Sequence, residues 1–326
     1  MKHKTLRLLR RVALGAAAVA LTTPALADGP FPGGPVTLAL AFPAGSTSDT
    51  IARIAQTRLS EKWGAPVVVE NKAGASGEIA YSAVAGSNPD GRTLLLTPDA
   101  IVVNPIIKGQ DLSTVTRRFN AVTILAEAPL AFLIPASLPV KDLKDFVQYV
   151  KARPRKLNFG SSGVGSVPYL SVAYFMQRTG TEMAHIPYRG AAQTMTAMFS
   201  GDVHFFLGDV NRYLANKDRL RAIVVTGAKR DPRAPDVPTM AESGYPGATF
   251  GLWLGVFAPA TTPADLVVRL NKDMTEVMTS PDFQAQMQAN GYESNARSVE
   301  QADRFVRDGF AFWRKVVVDG KLKFEE

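Results

Sequence analysis

Short apolar runs alternate with amphipathic helical stretches along most of this chain, and that alternation restricts it to an α/β architecture with a mostly parallel sheet. Val36–Ala41 reads as a strand, Ser48–Trp63 as a helix with Ile51, Ile54, Ala55 and Leu59 at helical spacing, and Val67–Glu70 as a short buried strand. Gly77–Ala85 reads as a helix, Asn88-Pro-Asp-Gly91 as a turn, and Thr93–Leu96 as the next strand. The same grammar restarts near Ala131. Strands are expected at Ala131–Ile134, Leu157–Phe159, Met183–Ile186, Val203–Leu207 and Arg221–Thr226, and helices at Val140–Ala152, Val167–Arg178 and Ala191–Ser200. Phe250–Phe257 is one more strand, and helices at Ala264–Thr279, Asp282–Asn290 and Val299–Val317 finish the chain. Two successive units predict a two-lobed clamshell, each lobe a sheet flanked by helices, with a ligand cleft between. Lobe 1 is expected to hold residues 28–128 and 253–326, and lobe 2 residues 129–252. The crossings near Ala128–Phe132 and Phe250–Phe257 would serve as hinges for closure.

The first residues read as an export signal rather than as fold. Lys2, Lys4, Arg7, Arg10 and Arg11 precede the apolar run Val12–Leu21, and Ala25-Leu-Ala27 fits a cleavage site. The run is short for a membrane span, which needs about 20 apolar residues. Cleavage after Ala27 would leave a soluble, monomeric protein starting at Asp28, beyond the inner membrane. The formal charge of +8 less the five charges of the signal leaves +3, too little for a nucleic-acid footprint. The chain has no cysteine, so neither a disulfide nor thiol chemistry is available.

Three strand-to-helix loops could carry the chemistry. The first, Phe42–Asp49, contains Ala44, Gly45, Ser46, Thr47 and Asp49; the second, Gly160–Ser166, contains Ser162, Gly163, Gly165 and Ser166. Ligands in open α/β sheets bind outside the carboxyl ends of strands, where helix N-termini offer free amides and a positive dipole end. Taken alone, the first loop reads as an ordinary helix cap, because Ser and Thr are preferred there. The matched pair points instead to one anion held across a cleft. In the third loop, Tyr188 could stack on a ligand and Arg189 pair with a carboxylate, or Tyr188 could pack in the lobe and Arg189 face water. Thr97-Pro-Asp99-Ala100 and Leu207-Gly-Asp209-Val210 are further loop candidates. Asp49 reads as a first-turn acid paired with Arg53, or as a group meeting a ligand ammonium. No phosphate-binding loop, nucleophile elbow or zinc-type histidine motif occurs. His185 and His204 read as structural, and no histidine partner for a serine nucleophile is evident. No cofactor, metal or catalytic site is expected.

In these loops the chain resembles the receptors of tripartite tricarboxylate transporters, the Bug receptors. The resemblance rests on Pro43-Ala-Gly-Ser46 with Asp49 and Arg53, Val69-Glu-Asn71 with Gly74-Ala-Ser-Gly77, and Pro89-Asp-Gly-Arg-Thr93. It continues through Leu157-Asn158, Ser161-Ser-Gly-Val-Gly-Ser166, His185-Ile-Pro-Tyr-Arg-Gly190, Pro235-Asp-Val-Pro-Thr-Met-Ala-Glu242, Trp253 and Ala258-Pro259. It implies a type II periplasmic binding protein that holds a carboxylate (a di- or tricarboxylate, an acidic amino acid or an aromatic acid) through backbone amides, hydroxyls and waters. It also implies integral membrane transporter subunits as partners; a sensory receptor or an exported hydrolase are the alternatives. Ser46 replaces a glycine of the family pattern, Arg189-Gly-Ala191 replaces its Lys-Gly-Gly, and Asp99 stands where a small or hydroxylic residue is expected.

Overall fold

A computed structural model describes residues 31–164, 166–188, 190–246 and 251–319. The export signal, the expected N-terminus at Asp28, and Gly165, Arg189 and Phe250 lie outside the described residues. The strands are β1 Val36–Leu40, β2 Val67–Asn71, β3 Thr93–Pro98, β4 Phe119–Pro135, β5 Asn158–Ser161, β6 Ala184–Pro187, β7 Phe205–Asp209, β8 Leu220–Val225 and β9 Gly251–Pro259. The helices are α1 Thr47–Trp63, α2 Glu78–Ala85, α3 Ala100–Ile107, α4 Ser113–Thr116, α5 Leu143–Lys151, α6 Val167–Thr179, α7 Ala191–Ser200, α8 Val210–Leu214, α9 Ala264–Met278, α10 Pro281–Ala289 and α11 Val299–Arg314.

The strand order is β2-β1-β3-β9-β4-β7-β5-β6, with β8 on β4. Each half contains a parallel trio, β2-β1-β3 and β7-β5-β6, completed by antiparallel pairing to β9 and β4, so the whole sheet is mixed. Strand β4 is 17 residues long, where the sequence suggested four. It pairs with β9 as far as Pro129 and with β7 from Leu130 onward, so one strand serves both halves. Its register with β9 slips twice, leaving Val122 and Leu125 as extra residues. Such bulges bend a strand and increase its twist. Their carbonyls do not go unsatisfied: Asn271 donates to Val122 O at 2.8 Å and Ser294 to Leu125 O at 2.7 Å. Glu127 and Glu293 exchange backbone bonds beside them.

These directions position the site. Strands β3 and β4 are both antiparallel to β9, so β1, β2 and β3 run the same way as β4 and end toward the second half. Strand β7 is antiparallel to β4, so β5, β6 and β7 end toward the first half. The carboxyl ends of both trios therefore face the level at which β4 crosses.

Helix α1 buries Ile51, Ala52, Ala55 and Leu59 against Val36, Leu38 and Leu40, each large side chain contributing about 1.5–3 kcal/mol. Gly64 ends it in the left-handed region (φ 59°), which costs glycine no side-chain clash. The second half is centred on Phe132, which meets Phe175 and Phe205 edge-on at 5.0 and 4.9 Å. Helix α11 packs on β4 and α3, yet its Phe312 also meets Tyr174 of α6 edge-on at 6.3 Å, so the C-terminal helix touches both halves. A polar contact joins the halves elsewhere: Asn211 of α8 donates to Asn290 O, and Arg233 donates to Asn211 Oδ1 while pairing with buried Asp231.

Candidate functional site

The loop after β1 is built around Asp49. Its Oδ2 accepts from the Gly45 amide at 3.0 Å and from Arg53 Nε at 3.0 Å, and its Oδ1 accepts from Asn71 Nδ2 at 3.0 Å. Asn71 also donates to Phe42 O. Burial opposes ionisation, but the hydrogen bonds from Arg53, Asn71 and Gly45 outweigh it and hold this carboxyl below its ordinary 3.8. The pairing with Arg53 inferred from spacing is therefore present, and the side chain braces the loop. Gly45 (φ 77°) occupies a conformation suited to glycine, and its amide is already engaged. Ser46 is the N-cap and accepts from the Asp49 amide at 3.2 Å. That bond uses a lone pair and leaves the hydroxyl proton for a ligand. The first intrahelical bond runs from Thr50 to Ser46 O, so Thr47 and Ser48 carry the first-turn amides without an intrahelical acceptor. Ala44 is exposed beside them.

The loop after β5 has the same plan, with fewer free donors among the described residues. Ser166 caps α6, accepting from the Tyr169 amide at 3.3 Å and donating to Gly163 O at 2.7 Å, so its proton is spent. Pro168 has no N–H, which leaves Val167 to present a first-turn amide. Gly163 turns with φ 109°, and Ser162 is exposed at the tip. The sequence suggested no partner for a serine, but Ser161 Oγ lies 2.7 Å from His185 Nε2. Ser161 is wholly buried and its Oγ also accepts from the Gly163 amide at 3.1 Å. The pair thus fastens β5 to β6 beneath the loop rather than presenting a nucleophile.

Tyr188 packs on the cluster containing Met195, Met198 and Val203, and its amide bonds Ser161 O. Desolvation, with the charge of Asp202, pushes its hydroxyl above the ordinary value of 10.0. Asp209 ends β7, caps α8 through the Arg212 amide and forms an ion pair with Arg212. Asp99 follows β3 at the start of α3 and is 3 % exposed. Its Oδ2 has no hydrogen-bond partner among the described residues. The register brings this end of β3 beside β9, since Pro98 pairs with Leu254, whose own partner on β4, Ala126, lies three residues before Pro129, where the pairing with β9 ends. Beneath it Tyr81 OH bonds Thr97 Oγ1 at 2.9 Å.

Two helix starts with small-residue loops at facing strand ends suit a small anion, and no helix among the described residues is long and apolar enough to cross a membrane. Comparison with known proteins agrees with that chemistry. The profile of the tripartite tricarboxylate transporter family receptors matches residues 51–322. A UPF0065 protein from the tcbD-tcbE intergenic region of Pseudomonas sp. (strain P51) is 32 % identical over 319 residues, 96 % of this chain and 95 % of that protein. The structure of R. palustris Rpa4515 with adipate superposes with a TM-score of 0.80 at 33 % identity, covering 88 % of this chain and 97 % of that one. MatC (Rpa3494) from Rhodopseudomonas palustris with bound malate superposes with a TM-score of 0.78 at 30 % identity, covering 88 % and 100 %.

Proposed function

This chain belongs to the tripartite tricarboxylate transporter receptor family, and on that footing we propose that it captures a small carboxylate between two lobes and delivers it to integral membrane transporter subunits. The reading places lobe 1 at residues 28–128 and 253–326 and lobe 2 at residues 129–252, in a monomer exported to the periplasm by cleavage after Ala27. The supporting observation is the pair of serine-capped helix starts at opposed strand ends. Rpa4515 and MatC, two of the solved structures it resembles, carry adipate and malate, both small carboxylates.

Among the described residues the donors are not shared equally. Thr47, Ser48 and the Ser46 hydroxyl make lobe 1 the richer half, so the carboxylate should dock there first and be covered by the Gly163–Ser166 loop afterwards. Each helix end contributes about 0.3–1 kcal/mol, up to ~2 kcal/mol when partly buried.

A backbone donor can be deleted here. Thr47 is the first helical residue, where proline is tolerated, and Ser46 has ψ 161°, the extended geometry that a following proline requires. Thr47→Pro should weaken binding by about 1.5–3 kcal/mol, the worth of a hydrogen bond to a charged group, while Thr47→Ala keeps the amide and stays near wild type. The test is calorimetry with the carboxylates that raise the melting temperature in a screen. Equal affinities for the two variants would remove the lobe 1 helix start from the site.

A further inference from the structure

Three acids stand at the carboxyl ends of strands facing the crossing level, and they are not equivalent. Asp49 is satisfied by Arg53, Asn71 and the Gly45 amide. Asp209 is satisfied by Arg212 and by capping α8. Asp99 is as buried as either, yet its Oδ2 meets no donor and no arginine or lysine pairs with it among the described residues. Its position at the head of an eight-residue helix favours a negative charge, but that alone does not explain an unpaired oxygen sealed from water. Burial pushes its carboxyl well above the ordinary range, against weaker help from the Ala100 and Asp99 amides. A buried acid with one oxygen unpartnered and no cation beside it among the described residues costs stability in the free protein. A hydroxyl in its place would donate to a carboxylate equally well; what an acid adds is the capacity to carry a charge.

We propose that Asp99 reads the ligand and takes a cationic nitrogen, so that the solute captured is an amino acid, its carboxylate at the helix starts and its ammonium on Asp99. This rests on the carboxylate-receptor reading above. The zwitterion brings its own counter-charge to an acid that has none among the described residues, and the resulting ion pair forms away from water, where opposite charges attract most strongly. The ligand-free protein carries the cost of the lone acid, and the complex removes it.

The test is calorimetry on the purified protein with matched pairs: L-aspartate and succinate, L-glutamate and glutarate, L-phenylalanine and 3-phenylpropionate. Wild type should bind at least one amino acid ten or more times tighter than its desamino partner. Asp99→Ser and Asp99→Asn should bring that ratio to about one, and Asp99→Ser should raise the melting temperature of the ligand-free protein. A desamino acid that binds wild type as tightly as its amino acid overturns the assignment while leaving the receptor reading intact. So does a preference that survives in both variants. If no carboxylate of either kind binds wild type, the receptor reading itself fails and takes the assignment with it.

Discussion

Asp49 shows how a residue that looks like a ligand contact can be consumed by its own loop. Its spacing to Arg53 was legible in the sequence; its bonds to Asn71 and the Gly45 amide were not, because they depend on β2 lying beside β1. Ser166 is similar: the cap was readable, but the loss of its proton to Gly163 O follows from how the loop closes. The two histidines make the residue-scale prediction. Desolvation lowers the pKa of both His185 and His204 from the ordinary 6.5, although the charge of Asp202 partly opposes this at His204. The native state therefore binds fewer protons than the unfolded chain below pH 6.5, and stability falls as pH drops from that value through the lowered folded values. His204 has a further reason, since its Nδ1 accepts from the Asn158 amide and a proton there would set two donors face to face. Urea titrations should show lower stability at pH 5 than at pH 7.5, and a flatter profile when both histidines become Gln. An identical slope in that double variant would assign the loss to carboxylates instead.

At the scale of elements, the alternating pattern located the parallel trios and their helices well, and it fell short where its own assumptions fail. Strand β4 showed only as Ala131–Ile134, because the bulges at Val122 and Leu125 shift the alternation of faces twice. Helix α3 was invisible because it is apolar nearly all round and contains Pro105, and α8 is a single turn. Close approach between elements is the other thing a pattern does not reveal. Gly160 on β5 lies so near α7 that an added Cβ would fall well inside contact distance of Thr194 Cγ2 and crowd Val203. Both neighbours are fully buried and have nowhere to go. Gly160→Ala should cost about 1–3 kcal/mol through overpacking, read as a lower urea midpoint at unchanged slope. An unchanged midpoint would mean that β5 and α7 can separate freely.

For the whole molecule, the contact between halves through Arg233, Asn211 and Asn290 works because Gly291 has no side chain. A Cβ there would overlap the Arg233 guanidinium, and φ at 291 is +78°, so the chain cannot move aside cheaply. Gly291→Ala should displace Arg233, loosen the two halves, enlarge the ligand-free protein in small-angle scattering and weaken ligand binding several-fold. A scattering curve identical to wild type would show that this contact does not hold the two halves together. The capped outer side of β4 matters before folding is complete. Its two bulge carbonyls are covered by Asn271 and Ser294, and its pairing partner at Glu127 is Glu293, all more than a hundred residues further along the chain. Until those residues emerge, a long apolar strand stands with one flank open, the kind of surface on which unfinished chains pair with one another. Folding of this protein is thus a race between delivery of its last third and the stickiness of its middle, and a chain cut short after β8 would be insoluble long before it was merely inactive.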